Sequence, residues 1–104
     1  MYNYDTILIL KGPTNVIVTS KGEILILNHG TSALATAGTG DVLSGILAAL
    51  TVRGCILDDV ALLGPYLHGE CAQLYNALIS PYGLTASVLL EMLPYAMESV
   101  EYVY

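Results

Sequence analysis

The sequence predicts an α/β fold in which short strands, two of them forming a hairpin, are followed by about three helices. Three patterns support this fold. Residues 6–10 (TILIL) are a short continuous apolar run. Residues 15–20 and 23–28 are two runs of strand-forming residues on either side of Lys21-Gly22. From residue 42 onward, apolar side chains recur at helical spacing. With 104 residues, the chain is at most one domain.

The strands are predicted from length and pattern. A continuous apolar run such as residues 6–10 is typical of a strand that is buried on both faces. The Lys21-Gly22 pair between residues 15–20 and 23–28 predicts a hairpin turn.

The first two helices have recognisable ends. The first covers residues 42–53 and ends at Gly54. Asp58 or Asp59 is expected to cap the second, which extends to about residue 79. Pro65 lies inside that span and predicts a kink or a later start. The apolar positions that define the first helix are Val42, Ile46, Ala49 and Leu50.

A last helix is expected after the break at residues 81–83, capped by Thr85 or Ser87 and broken or bent near Pro94. Strands followed by helices are the order of one edge of a layered α/β domain.

Composition excludes several classes of protein. Hydrophobic residues make up 55% of the chain and charged residues 12%, so disorder is excluded. Three Lys and Arg against nine Asp and Glu argue against binding to nucleic acid or an anionic membrane. No apolar run is long enough to span a membrane. So few charges predict a piece of a larger assembly or a subunit that buries much of its surface, and we expect self-association or completion by another segment.

The two cysteines, Cys55 and Cys71, both lie in apolar surroundings. This context predicts free thiols rather than a disulfide, and hence a reducing compartment. The N-terminus lacks the charged region of a signal peptide. A cytoplasmic location is therefore expected.

A loop of small residues leads directly into the first predicted helix, over residues 36–45 (TAGTGDVLSG). Gly38 and Gly40 permit backbone conformations that side chains exclude. The first N–H groups of a helix have no partner within it and lie at the positive end of its dipole, so anions bind there. Asp41 falls in the first turn, beside that site. Donors for developing charge and a base for a hydroxyl proton are the parts that phosphoryl transfer needs.

The same loop has a plainer interpretation, in which Asp41 is only a cap and the glycines only form a turn. Loop composition alone does not decide between the two. The loop is not a Walker A motif, because no Lys-Ser/Thr follows its last glycine. It is not a dinucleotide fingerprint either, because GTGDVL lacks the third glycine.

The sequence ATAGTGDVLSGILAAL, residues 35–50, resembles the signature of the ADP/ATP-dependent NAD(P)H-hydrate dehydratases of the ribokinase-like superfamily. Three further segments resemble family motifs in the same order. They are Leu10-Lys11-Gly12 with Asn15-Val16-Ile17, Tyr66-Leu67-His68-Gly69, and Leu84-Thr85-Ala86-Ser87 with Leu93-Pro94. The resemblance covers nearly all of residues 1–104 but only about the C-terminal third of a ribokinase-like domain.

The resemblance implies roles for particular residues. Asp41 corresponds to the catalytic base, which also contacts the substrate. Residues 31–40, and within them Thr36, Ala37, Gly38, Thr39 and Gly40, correspond to the nucleotide phosphate and anion-binding segment. Lys11, Gly12 and Asn15 correspond to a second nucleotide-binding segment. Two positions depart from the family pattern: Asn15 stands where the family has Thr, and Val88 where it has Asp.

The implied activity is that of a lyase in metabolite repair, which dehydrates hydrated NADH or NADPH with ATP or ADP and Mg²⁺. No metal ligand is identifiable in the sequence. One alternative is a ribokinase-like kinase of a vitamin precursor, although Val-Leu-Ser-Gly after the motif is more typical of the dehydratases. A third is a non-catalytic fragment or subunit that needs a missing N-terminal part.

Three other side chains have an expected role or environment, and a fourth has none. Lys11 is expected to approach a phosphate rather than serve only as a turn residue. His68, on an apolar helix face, is expected to be a packed, hydrogen-bonded core residue. Glu70 is expected to be a solvated helix position, and His29 receives no role.

Overall fold

Three strands form one antiparallel sheet, and three helices follow them. The computed structural model describes residues 6–12, 14–30, 38–80 and 82–100. The predicted fold class is confirmed. The strands are β1 (Leu8–Leu10), β2 (Asn15–Val18) and β3 (Ile24–Leu27), and the helices are α1 (Thr39–Val52), α2 (Leu57–Leu78) and α3 (Ala86–Glu98).

The sheet has the order β1-β2-β3, and its two faces have different surroundings. Ile17, at the centre of β2, is completely buried on the face against which α2 packs. The opposite face, which we call the open face, carries six apolar side chains in register across the strands. They are Leu8, Leu10, Val16, Val18, Ile24 and Ile26.

The prediction that residues 6–10 form a strand buried on both faces is wrong as to burial. Leu8 and Leu10 are 50% and 51% exposed. Among the described strands, β1 lies at the edge of the sheet and pairs with β2 alone, and both side chains lie on the open face. The apolar run therefore indicates that another layer packs on this face, and the described residues do not form that layer.

The three helices pack on one another around a common apolar core. Leu67 and Cys71 of α2 and Leu89 of α3 are almost completely buried there. Gly54, with φ of 89°, follows the end of α1, as predicted, because a left-handed conformation ends a helix and suits glycine. No helix in the described ranges is both long enough and apolar enough to cross a membrane.

The start of α2 differs from the prediction. Ile56 is its N-cap, and no side chain caps it, so the expected cap by Asp58 or Asp59 is wrong. Asp58 instead accepts hydrogen bonds from Ser20, at 3.3 Å from the backbone nitrogen and 3.2 Å from Oγ. The carboxylate thus ties the helix to the β2–β3 turn. Pro65 lies inside α2, so the expectation of a later start is also wrong.

Helix α3 begins at one of its two predicted N-cap residues. Thr85 is the N-cap, and its side chain accepts a hydrogen bond from the Val88 backbone nitrogen at 3.3 Å. Ser87, the other candidate, lies inside the helix and is not the cap. The helix also continues through Pro94, so the expected break there is wrong.

Candidate functional site

The start of α1 is formed by backbone groups rather than by a capping side chain. Gly38 is the N-cap, with φ of 88°, a conformation that side chains disfavour. Its carbonyl oxygen accepts from the backbone nitrogens of Asp41 and Val42, at 3.2 and 3.4 Å. A Cβ atom at Gly38 would also lie 3.3 Å from the Cβ of Ala86, so the loop passes close to α3. Both observations account for glycine here.

The Asp41 side chain does not cap α1, so the expectation that this residue is a cap is wrong. It is exposed in the first turn, and the helix has no side-chain cap hydrogen bond. Across the ranges that the structure describes, its carboxylate has no hydrogen-bond partner. The carboxylate is thus available to a bound molecule.

A groove beside Asp41 runs between α1 and α3. Its volume is about 520 Å³, which is within the range of small-molecule pockets. Small and apolar side chains line most of it, so it offers an apolar surface next to the polar helix start. The lining residues are Gly38, Asp41, Val42, Gly45, Ile46, Ala49, Ala86, Ser87, Leu90 and Leu93.

Lys11 lies against the start of α1, although 29 positions separate it from Gly40. A Cβ built on Gly40 would lie 2.8 Å from Lys11 Nζ. The ammonium therefore lies at the positive end of the helix dipole, and two positive groups this close attract an anion. The Gly40 N–H has no hydrogen-bond partner in the described part of the chain. Together they can hold a phosphate group.

The other predicted nucleotide-binding residues are less clearly placed. Gly12 is exposed next to Lys11, and Asn15 begins β2 opposite Leu27. Their roles stay predictions. Thr36 and Ala37 lie outside the described residues, as does most of the loop 31–40.

His68 is a buried, hydrogen-bonded residue, as predicted. It is 3% exposed, and its Nε2 lies 2.8 Å from the Thr39 carbonyl oxygen, to which it donates. Burial lowers the pKa of His68 below its ordinary value. The hydrogen bond to Thr39 acts in the opposite direction, and the Lys11 ammonium lowers the pKa further. His68 is therefore neutral at neutral pH.

A cluster around His29 was missed by the sequence analysis. The His29 ring stacks on Tyr66 with centroids 4.5 Å apart, and its Nε2 lies 3.0 Å from Glu70 Oε1. The prediction that Glu70 is a solvated position is therefore wrong. Gln73 also donates to the Gly30 carbonyl oxygen at 3.4 Å. Tyr66, Glu70 and Gln73 lie on one face of α2. In the sequence, only their helical spacing could have indicated that they belong to one cluster.

Gly69 lets α2 approach this segment closely. A Cβ at Gly69 would lie 2.6 Å from the His29 carbonyl oxygen and 2.8 Å from its carbon. Because those atoms are backbone, they can move only if the chain moves. Gly64, on the same helix, faces only the end of the Leu47 side chain, which can rotate away.

We expect Gly69→Ala to lower the free energy of unfolding by about 1–3 kcal/mol, through overpacking against backbone. Gly64→Ala is the matched control and should cost little, since alanine also gains helix propensity. Denaturant unfolding of the two variants measures the difference. Equal stability of the two would contradict the account of this contact.

The cysteines have no place in this site. Both are free thiols, as predicted, and burial raises the pKa of Cys71 to about 11. A thiol with so high a pKa is a poor nucleophile at neutral pH.

Comparisons with known proteins show the family of this chain. A family model described as NAD(P)H-hydrate dehydratase matches residues 1–95. A bifunctional NAD(P)H-hydrate repair enzyme from Dictyoglomus turgidum is 35% identical over 97 residues, which are 93% of this chain and 19% of that protein. An ADP-dependent (S)-NAD(P)H-hydrate dehydratase from Natrialba magadii is 41% identical over 88 residues, which are 85% of this chain and 33% of that protein.

The fold matches a solved structure as well. The ADP/ATP-dependent NAD(P)H-hydrate dehydratase of Bacillus subtilis, co-crystallised with ATP and Mg²⁺, superposes with a TM-score of 0.84 at 33% identity. The match covers 90% of this chain and 34% of that one. The chain thus spans about a third or less of the length of the relatives that it matches.

Proposed function

The chain belongs to the NAD(P)H-hydrate dehydratase family, and from this membership we propose that it supplies the nucleotide phosphate site and the catalytic base of such an enzyme. The substrate would be hydrated NADH or NADPH, and the co-substrate ATP or ADP. The observation that carries the proposal is the meeting of Lys11, the start of α1 and Asp41 at one point. The chain would be the C-terminal portion, residues 1–104, of one ribokinase-like domain.

Each group at this point has a chemical task. Lys11 and the Gly40 N–H would hold the oxygens of the transferring phosphoryl group, where negative charge develops. Asp41 would accept the proton of the ring hydroxyl as its oxygen attacks phosphorus. As this oxygen–phosphorus bond forms, the bond from the terminal phosphorus of ATP or ADP to its bridging oxygen breaks, and ADP or AMP leaves. The ring oxygen then departs as phosphate when its C–O bond breaks. A neighbouring ring C–H bond gives its proton to solvent and its electron pair to the new ring double bond.

Mg²⁺ is expected with the nucleotide. Among the described residues, no group of three or more His, Cys, Asp or Glu side chains could hold a metal ion. These residues therefore do not form a protein cage for Mg²⁺. The nucleotide phosphates would be its main ligands.

Completion of the domain by another polypeptide segment is part of the proposal. The open face is wholly apolar, and Ile24 and Ile26 on it are 67% and 71% exposed. Faces of α/β sheets are covered by another layer. Because the relatives are about three times as long or longer, the rest of the family domain is a better candidate for this cover than a second copy of the chain.

The test is a dehydration assay on purified hydrated NADH. The chain is assayed alone and after co-expression with the part of the B. subtilis enzyme that it does not match. We expect ADP- or ATP-dependent recovery of NADH in the complex and little in the chain alone. A phosphorylated product with no NADH would favour a kinase. Absence of turnover in an assembled complex that binds nucleotide would contradict the proposal.

A further inference from the structure

His68 lies on α2 behind the start of α1, and the proposed chemistry gives it no task. Its side chain is buried, and its Nε2 lies 2.8 Å from the Thr39 carbonyl oxygen. A carbonyl oxygen can only accept, so Nε2 carries the hydrogen and donates it. The buried ring is therefore hydrogen-bonded to the backbone of the first residue of α1.

The ring does this as a neutral group. Burial is the main cause that lowers the pKa of His68, and the Lys11 ammonium acts in the same direction. A protonated ring would be a second positive charge close to Lys11, in a position with little water. The neutral tautomer gives a directional hydrogen bond without that cost.

The hydrogen bond has a consequence on the other side of the peptide. The Thr39 carbonyl and the Gly40 N–H belong to one trans peptide unit, so they point in opposite directions. Holding the carbonyl toward α2 directs the Gly40 N–H away from α2. That N–H has no partner within the described ranges, and Lys11 Nζ lies beside Gly40.

We propose that His68 is a positioning residue, which fixes the Thr39–Gly40 peptide so that the Gly40 N–H and the Lys11 ammonium contact the same phosphate group. This inference rests on the proposed function and deepens it. His68 does not touch the anion. It acts through Thr39, and a hydrogen bond to the carbonyl also polarises the N–H of the same peptide.

The test compares two replacements with different hydrogen-bonding ability. His68→Gln keeps an N–H near the position of Nε2, whereas His68→Met fills a similar volume and has no donor. The probe is ADP, and two quantities are measured on the full chain. One is its Kd, by calorimetry. The other is the shift of the Gly40 amide resonance in protein labelled with ¹⁵N-glycine.

We expect His68→Met to weaken ADP binding about 5- to 10-fold, the effect of one lost hydrogen bond, and to reduce the Gly40 shift. His68→Gln should restore both to nearly the wild-type values. Cys71→Ala, a buried truncation on the same helix, controls for lost stability and should change neither. If His68→Met does not fold, His68→Gln is compared with His68→Asn, whose amide is too short to reach Thr39.

The positioning role is overturned if His68→Met binds ADP with the wild-type Kd and Gly40 shift. It is also overturned if His68→Gln loses as much as His68→Met, or if His68→Asn equals His68→Gln. The outcome is separable from the proposed function. ADP binding that depends on His68 in a complex without dehydration would leave the positioning role standing and contradict the function. Dehydration by the complex, with a wild-type Kd for ADP and a wild-type Gly40 shift in His68→Met, would leave the function standing and contradict the positioning role.

Discussion

Replacing Asp41 with Asn in the completed domain is expected to reduce the rate of NADH recovery by about 100-fold or more, the usual contribution of a general base. The amide keeps the shape of the carboxylate but cannot accept the hydroxyl proton. Nucleotide should bind at least as tightly as before, because the substitution removes a negative charge next to the phosphate site. Steady-state kinetics and a separate measurement of Kd for ADP test both parts.

Asp59→Asn is the matched control for this variant. Asp59 is also an exposed carboxylate in the first turn of a helix, but it begins α2 and not α1. Both substitutions change the net charge equally, so a general electrostatic effect would appear in both. Undiminished turnover in Asp41→Asn would reject Asp41 as the base.

Replacing Lys11 with Met is expected to weaken ADP binding about 10-fold or more, since a charged hydrogen bond to phosphate is lost. Binding of the wild type should also weaken with added salt, whereas binding of the variant should respond less, because screening acts on the lost charge. Titrations of ADP at low and high ionic strength measure both effects.

Lys21→Met provides the comparison for this substitution. Lys21 is equally cationic and exposed, but it lies in the turn between β2 and β3. A loss of affinity that is the same in Lys11→Met and Lys21→Met would show that only net charge matters. It would contradict a specific contact between Lys11 and the nucleotide.

Features fixed by neighbouring residues could be predicted from the sequence. The Thr85 cap depends on a hydrogen bond to Val88, three positions away, and Gly54 ends α1 through its own backbone conformation. The glycine-rich start of α1 is local in the same sense, since the Gly38 carbonyl oxygen accepts hydrogen bonds from Asp41 and Val42, three and four positions away. Pattern and spacing are sufficient where the interacting groups are adjacent in the chain.

Features that depend on distant parts of the chain could not be predicted. Asp58 has the composition and position of a helix cap, yet Ser20, 38 positions away, binds its carboxylate. His29 and Glu70 lie 41 positions apart, and only packing of α2 against β3 brings them together. The exposure of β1 could not be predicted for the same reason. Its apolar side chains indicate that another layer packs on them, but they do not indicate which part of a sequence forms that layer.

The most direct test of the central claim, that nucleotide phosphate binds at the start of α1, is a thermal melt of the chain with and without Mg-ADP. At about ten times Kd, binding adds about 1.4 kcal/mol to the free energy of unfolding, which corresponds to about 5–10 °C for a domain of this size. We expect this rise with Mg-ADP, none with adenosine, and a smaller rise in Lys11→Met. A cooperative transition that Mg-ADP does not move would contradict the claim.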